Sequence, residues 1–506
     1  MPNYLSPGVY VEEVSSGSKP IEGVGTAVCA FVGFTEKGPI NTPVLVTNWT
    51  QFVSHFGEFA TGTYLAHSLY GYFLNGGGSA YIVRLETPQE EEGETTEASA
   101  VLAGHTAGRR KVLGVRALAP GTEGNSLVIE TVINEGETFT LLVKRGEQVL
   151  ETFEGLSASK GPRAAADVVR RESRLIALQQ LEASLPAAGT TRLAGGAGGA
   201  RTPAPMSPQA FIGSTLDRSG LAGLEAVDEV TMVAIPDLMC CLRSGLLDRD
   251  GVKAVQLAMI AHCELMGDRV AVLDTPPDLN AQEVQAWRVD EVGYDSKYAA
   301  LYWPWVNVLD PITGKSASIP PSGHVAGVWA RSDNTRGVHK APANEVVRGA
   351  LSLELALTRQ EHDQLNPLGI NCIRAFPGQG IRVWGARTLS SDPEWRYLNV
   401  RRLFNFVEKS ILSGTSWVVF EPNDPKLWDS VKRTITMFLR GVWREGALFG
   451  RTPDDAFYVK CDEENNPAEA REQGILTVEI GVAAVKPAEF VVFRISQLAD
   501  GASLDE

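Results

Sequence analysis

His324, Asp274 and Ser214 are the residues of this chain whose types could serve together as the base, acid and nucleophile of a hydrolase. That chemistry needs the serine on a tight turn, usually within Gly-x-Ser-x-Gly, and no such segment occurs. With 7 histidines in 506 residues, some fall near an aspartate by chance. Gly314-Lys315-Ser316 has the ending of a phosphate-binding loop. The glycine required five positions before Gly314 is Leu309, however, so a polar turn after Asp310-Pro311 is expected instead. Gly378-Gln379-Gly380 lacks the third glycine of a dinucleotide site and follows Pro377, which favours a tight turn; Gly23-Val24-Gly25 is similarly weak. Cys240-Cys241 and His262-Cys263 place metal ligands side by side. Without a CxxC or HExxH pattern they read as small buried hydrophobes. The Asn48-Trp49-Thr50 sequon has meaning only in a secreted chain. No catalytic, cofactor-binding or metal-binding residue is assigned, and no enzyme activity is expected.

The elements that would have to position such residues alternate between strand and helix. Thr26 to Gly33 suits a buried strand, Lys37-Gly38-Pro39 a turn, Tyr64 to Leu74 a helix and Tyr81-Ile82-Val83 a strand. The pattern resumes with a strand at Val230 to Ile235, a helix at Val252 to Met266 and a strand at Arg269 to Leu273. A third strand candidate covers Ala299 to Val308. This order predicts an α/β core with parallel pairing. The strands end in polar turns (Pro236-Asp237; Asp274-Thr275-Pro276-Pro277), where an α/β enzyme would hold a ligand.

The core is interrupted. Gln89 to Glu97 carries five glutamates in nine residues, and Ala194 to Pro208 is rich in Gly, Ala and Pro, so the two bracket an insertion over 89–208. Ser126 to Glu130 and Phe139 to Val143 alternate like strands, whereas Val168, Leu175, Leu178, Leu181 and Leu185 have helical spacing. Farther on, an α+β domain is expected, with helices near Val346 to Thr358, Leu398 to Leu412 and Lys426 to Arg444. Strands follow at Gly474 to Val482 and Glu489 to Ser496.

A formal net charge of -15 disfavours general affinity for nucleic acid or anionic membranes. The 6 dispersed cysteines suggest a reducing compartment. Met1 to Tyr10 lacks the basic and apolar regions of a signal peptide, and no run is long enough to span a membrane, so folding in the cytosol is expected.

The two ends of the chain stand out. Val9 to Val14 is strand-like but followed by a flexible stretch from Ser15 to Pro20. Phe490 and Val492 on one face, with Val491, Phe493 and Ile495 on the other, make a strand that must be covered on both sides. Pairing within the same domain is the ordinary outcome for terminal strands. Donation to a neighbour's sheet is the other, and because donor and acceptor surfaces differ it propagates into an open helix or ring. Ser15-Ser16-Gly17-Ser18 and Ala483-Ala484-Val485-Lys486-Pro487 would then be the bending linkers. On the helix from Lys426 to Arg444, at about 100° per residue, Lys426, Arg433, Arg440 and Arg444 share a narrow sector opposite Leu427, Val431, Ile435, Phe438 and Val442. That stripe is either a solvated face or a seat for an acidic partner.

Several segments resemble contractile tail sheath proteins. They are Ser6-Pro7-Gly8-Val9-Tyr10-Val11-Glu12-Glu13, Ala30-Phe31-Val32-Gly33-Phe34-Thr35 with Gly38-Pro39, and Asn75-Gly76-Gly77 leading to Ala80-Tyr81-Ile82-Val83-Arg84. Pro320-Pro321-Ser322-Gly323-His324-Val325-Ala326-Gly327 and Arg336-Gly337-Val338-His339-Lys340-Ala341-Pro342-Ala343-Asn344 are similar to the same family. So are Asn366-Pro367 with Gly369-Ile370-Asn371, Trp384-Gly385-Ala386-Arg387-Thr388, Tyr397 with Asn399-Val400-Arg401-Arg402, and Val478-Glu479-Ile480-Gly481-Val482. The match skips the insertion.

The resemblance implies an α/β core, subtilisin-like in outline, with an inserted mainly-β outer domain and a C-terminal α+β domain facing a tube. The implied division is an N-terminal arm (1–22), the core (23–88 with 209–345), the insertion (89–208), the C-terminal domain (346–484) and a C-terminal arm (485–506). It makes Val9, Tyr10, Val11, Glu12 and Val14, and Phe490, Val491, Val492, Phe493 and Ile495, the donated strands. Leu476, Val478, Ile480 and Val482 belong to the acceptor, and Lys426, Arg433, Arg440 and Arg444 attach to the tube through ion pairs that salt can screen. The implied function is that of a structural subunit polymerising helically around an inner tube and contracting to drive it through a target envelope. The implied partners are further copies in stacked rings, the inner tube protein, and baseplate and tail-terminator or cap proteins, with no cofactor, nucleic acid or membrane insertion. Assembly in the bacterial cytoplasm, as part of a phage tail or phage-tail-like particle released by lysis, goes with it. The rival readings are an intracellular subtilisin-like or other α/β hydrolase and a static shell protein.

Overall fold

The computed structural model describes residues 20–86, 90–91, 96–105, 110–119, 121–146, 148–159, 161–196, 202–203 and 205–493. The chain forms two compact units, Met1–Thr87 with Pro205–Glu506, and Pro88–Ala204.

The larger unit is built on a nine-stranded sheet. In chain order its strands are β1 (Val28–Gly33), β2 (Val44–Val46), β3 (Ser79–Arg84), β4 (Met232–Ala234), β5 (Val270–Asp274), β6 (Ala299–Trp303), β7 (Glu345–Val346), β8 (Ile370–Phe376) and β9 (Gly380–Val383). Their spatial order is β7-β9-β8-β6-β5-β4-β1-β3-β2. The inner strands β3, β1, β4, β5, β6 and β8 pair in parallel, while β2, β9 and β7 are antiparallel additions at the margins. Parallel strands are covered on both faces, which is why Val-Ala-Val-Leu-Asp and Ala-Ala-Leu-Tyr-Trp, the sequences of β5 and β6, are buried throughout.

Five helices matter here: α1 (Leu65–Asn75), α2 (Arg249–Met266), α3 (Ser322–Arg336), α4 (Leu398–Gly414) and α5 (Pro425–Arg444). One face of the sheet packs on Val252, Val255, Met259 and Cys263 of α2. The other packs on Leu65, Leu69 and Tyr72 of α1 and on Val325, Val328 and Trp329 of α3. α1 and α3 approach nearly to backbone contact: a methyl group at Gly323 would overlap Ser68, and one at Gly327 would overlap the Tyr72 carbonyl.

The structure departs from the sequence expectations at several points. The helix expected from Val346 to Thr358 is absent, and strand segments Glu345–Val346 and Ala350–Leu353 take its place. Gly349 sits at φ 84, which breaks a helix, and Leu351, Leu353, Leu355 and Leu357 alternate with the period of a strand. Residues 346–389, expected in the C-terminal domain, instead complete the main sheet through β8 and β9.

In the smaller unit, the helix expected to run through Leu175 and Leu185 stops at Glu172. The Ser173 hydroxyl accepts the amides of Leu175 (3.2 Å) and Ile176 (2.9 Å), a local bond that competes with helix. Ile176–Gln180 is a strand that pairs with Lys111–Ala117 in a three-stranded sheet. A four-stranded antiparallel sheet, ordered Gly189–Arg192, Leu127–Ile133, Thr138–Arg145 and Gln148–Ser157, completes its core.

The C-terminal part of the larger unit packs α4 and α5 against a hairpin of β10 (Phe457–Lys460) and β11 (Glu479–Val482). The whole is a mixed α/β chain with several sheets. No described helix is long and apolar enough to cross a membrane.

Candidate functional site

In an open parallel sheet, ligands usually sit beyond the carboxyl ends of the strands, where the strand order reverses. Here that point lies between β1 and β4, and protein fills it. Asp237, just past β4 and wholly buried, accepts the amides of Phe34 (2.6 Å), Tyr64 (2.5 Å) and Leu65 (3.0 Å), tying the end of β1 to the start of α1. Asp274, the last residue of β5, accepts the amide (2.9 Å) and hydroxyl (2.5 Å) of Ser322 at the start of α3. Both carboxylates therefore cap helices.

Burial pushes Asp274 up to about 7 against the opposing effect of the Ser322 bonds, and pushes Asp237 up to about 6. A carboxyl raised in the folded state contributes stability that is fully present below its unfolded value and lost as pH rises through its folded one. Asp274→Asn, a neutral near-isostere, should therefore gain stability relative to the wild type as pH rises from about 4 to about 7, by about 1.4 kcal/mol per pH unit, and no further above that. Urea denaturation of the dilute chain across that range measures this; parallel profiles would refute it. Asp237 leaves a residual slope in both chains.

The remaining residues with chemical potential are structural. His324 is enclosed between α3 and α1 with its Nδ1 unpartnered, and burial holds it down to about 4. The described hydrogen bonds of Ser214 stay within a turn with Asp217 and Ser219, so none of them joins it to Asp274 or His324. Gly314 and Lys315 lie in the turn of a hairpin, where Asp310 accepts from Ile312 and Thr313 and meets His67 Nε2 at 3.2 Å. All 6 cysteines are free and buried. His262 faces Arg269 at 3.3 Å, and burial first, then that guanidinium, hold it down to about 4.

What the fold leaves exposed is more telling. Phe490, Val491, Val492 and Phe493 are 73%, 68%, 77% and 82% exposed. The strand expected from Glu489 is not formed over 489–493, because a strand needs a ladder and no described segment pairs with it. Ile495 lies outside the described residues, as do Val9, Tyr10, Val11, Glu12 and Val14. The expected acceptor strand is shorter than its apolar alternation: only 479–482 pairs, with 457–460, although Leu476, Val478, Ile480 and Val482 all lie half-buried against the C-terminal core. Among the described residues this sheet has two strands, and a single bridge between Leu448 and Ala484 continues beyond it.

Upstream of the exposed run, the Glu489 carboxylate is held by four hydrogen bonds that sequence reasoning did not find. Arg387 Nε (2.8 Å) and Nη2 (2.7 Å), Asn366 Nδ2 (2.8 Å) and Tyr397 Oη (3.1 Å) donate to it. Arg387, Asn366 and Tyr397 all fell within segments singled out above, but nothing local pointed them at residue 489. The same segment borders a groove of about 950 Å³ beside Trp384, Arg359 and Arg374.

On α5, Asp424 caps the first turn through the Leu427 amide at 2.9 Å, and Pro425 occupies the first position. Leu427, Trp428, Val431, Ile435, Leu439 and Val442 are buried, with Phe438 half-buried. Lys426, Arg433, Arg440 and Arg444 are exposed on the other side and form no ion pair among the described residues. Met437, 55% exposed, lies in the same sector.

Two consecutive domain families cover more than half of this sequence: the phage tail sheath protein central domain matches residues 236–389, and the phage tail sheath C-terminal domain matches residues 390–497. The chain belongs to the phage tail sheath family. The two matched stretches meet at residues 389 and 390, six residues after β9 ends at Val383. The tail sheath protein of Burkholderia phage BcepMu is 24% identical over 522 aligned residues, covering 97% of this chain and 96% of that one. The tail sheath protein of Vibrio phage KVP40 is 26% identical over 238 residues, 44% of this chain and 35% of the phage protein, so the match spans about a third of that relative. Among solved structures, the helical sheath of the anti-feeding prophage in its contracted state shares the fold, with a TM-score of 0.61 and 24% identity over 98% of this chain and 99% of that one.

Proposed function

We propose that this chain is the structural subunit of a contractile sheath, polymerising helically around an inner tube and shortening to drive that tube through a target envelope. The observation that carries the reading is the run Phe490-Val491-Val492-Phe493, apolar and between 68% and 82% exposed, in a chain whose C-terminal sheet has only two strands among the described residues. Burying such side chains against another copy returns about 1.5–3 kcal/mol each. Ordering the strand costs roughly 1–2 kcal/mol per residue. Each contact is therefore modest, and a lattice of them is strong. Donor and acceptor surfaces differ, so the contact repeats into a helix rather than closing as a dimer.

Membership of the sheath family supports the same reading, and with it an N-terminal arm at 9–14 as the second donated strand. The C-terminal domain then faces the tube and the insertion at 89–208 faces outward. The parallel sheet, with helix caps at its carboxyl ends, supports a core that is subtilisin-like in outline and not a working hydrolase. The partners are further copies, the tube protein, and baseplate and cap proteins, assembled in the bacterial cytoplasm. Contraction draws on a kinetically trapped extended lattice relaxing to one with more buried contact, without nucleotide or metal.

Negative-stain microscopy of the purified chain, alone and with its tube, tests this. Cylinders of two diameters are expected. Cylinders of a single diameter would point to a static shell, and a discrete oligomer with a saturable hydrolytic activity would overturn the reading.

A further inference from the structure

The stretch from Ala483 to Pro487 has the composition of a flexible linker, but its backbone is tied down. Ala483 N–H donates to the Ala456 carbonyl (2.8 Å), and Phe449 N–H donates to the Ala483 carbonyl (2.7 Å). Val485 N–H reaches the Ala447 carbonyl (3.2 Å), and Asn399 Nδ2 reaches the Val485 carbonyl (3.0 Å). Two residues beyond Pro487 comes the Glu489 carboxylate with its four donors. Its main partner is rigidly placed. Arg387 is 8% exposed, its amide donates to Asn371 Oδ1 (2.7 Å), and its carbonyl accepts from Asn371 Nδ2 (2.8 Å); Asn371 belongs to β8 in the main sheet. Arg387 lies in the stretch matched by the central domain and Glu489 in the stretch matched by the C-terminal domain, so the pair fastens one to the other. At the next residue the chain is 73% exposed.

From this geometry we infer that Arg387 and Glu489 form a latch that fixes the pivot of the C-terminal arm between Glu489 and Phe490, setting where and in which direction the arm leaves for a second copy of the chain. Both are positioning residues: neither touches the neighbour, but both restrict the paths open to Phe490–Phe493. With the latch closed the free arm begins at residue 490. With it open, 483–489 keeps the backbone and Asn399 bonds above and the packing of Ala484 on the C-terminal core, and it joins the tether whenever those few bonds open. A longer tether transmits less of one subunit's rotation to the next and lowers the effective concentration of the arm at its acceptor. The inference rests on the sheath reading for its consequence but not for the pivot itself.

The test uses the full-length chain and three variants: Glu489→Gln, which keeps the shape and removes the charge; Arg387→Gln, which removes it from the other side; and Arg387→Lys, which restores charge without the two-pronged geometry. Brief thermolysin digestion of dilute, unassembled chain, read by mass spectrometry, should cut the wild type first within 490–493. Glu489→Gln and Arg387→Gln should open cuts within 483–488 at a rate about tenfold higher or more, because access there follows local opening. Arg387→Lys should fall between, and thermal melting of the core should not move to match. In assembly, the two glutamine variants should give shorter cylinders than the wild type under the same conditions. Unchanged cut positions in both glutamine variants would overturn the pivot, and moved cuts with cylinders of normal length and contraction would overturn its role in positioning. The digestion is read before assembly, so wild-type chain that cuts at 490–493 yet never polymerises counts against the sheath reading alone.

Discussion

A chain lacking residues 1–14 is expected to remain a folded monomer and to lose the ability to build long cylinders. Folding should survive because the C-terminal core is anchored from Ile21 onward, a residue 8% exposed that packs in one cluster with Leu403, Val407 and Val431. Val24 N–H is already fixed to Ser410 Oγ at 3.1 Å. Assembly should fail because each subunit loses one donated strand at every position of the lattice. If that strand is worth about 3–4 kcal/mol net, the concentration needed to polymerise rises roughly 100-fold to 1,000-fold. Sedimentation across a concentration series, with negative-stain images of the pellet, measures both halves of the expectation. Cylinders of ordinary length from the truncated chain would remove the argument that the N-terminal end is a donated strand.

Much of this architecture can be read in the amino-acid sequence, and the exceptions have physical causes. The parallel strands were legible because burial on both faces demands unbroken apolar runs, and β1, β5 and β6 are such runs. Helices α2, α4 and α5 were legible in the sequence, each within a few residues of its observed bounds. The region after Val346 was misread although its leucines alternate as in a strand; Gly349 at φ 84 breaks the helix, and that conformation is not written in its identity. Ser173 misled similarly, by diverting the backbone into a local turn just where leucine spacing continues.

The latch was illegible for a different reason. Glu489 and Arg387 are separated by more than a hundred residues, and a lone glutamate two residues after a proline looks like any solvated charge until the fold brings a buried guanidinium to it. The exposed run at 490–493, in contrast, was conspicuous from the start, since four consecutive apolar residues with no place in the core demand an explanation wherever they occur.

Changing Arg433, Arg440 and Arg444 together to glutamate is expected to weaken loading of the sheath onto its tube about tenfold to a thousandfold while sparing contacts between sheath subunits. These side chains are exposed and unpaired among the described residues, on the face of α5 opposite the one that carries Trp428, Val431 and Leu439 into the core. Their replacement therefore removes no packing. Each substitution reverses a charge, and an acidic tube would meet repulsion where it now meets attraction. An exposed ion pair contributes only about 0.2–1 kcal/mol and is screened beyond about 8 Å at physiological salt. A stripe of them would hold a tube yet let go when geometry changes, which is what the proposed sliding requires. Arg444 lies in the last turn of α5, where a positive charge favours the helix and glutamate would cost about 0.3–1 kcal/mol. The matching set of changes to glutamine separates that small loss from loss of the partner. Co-sedimentation with purified tubes at rising ionic strength should show loading that falls steeply with salt for the wild type, changes little for the glutamine set, and is weakest at low salt for the glutamate set. Equal loading of all three chains would reject α5 as the attachment face and leave the stripe an ordinary solvated surface.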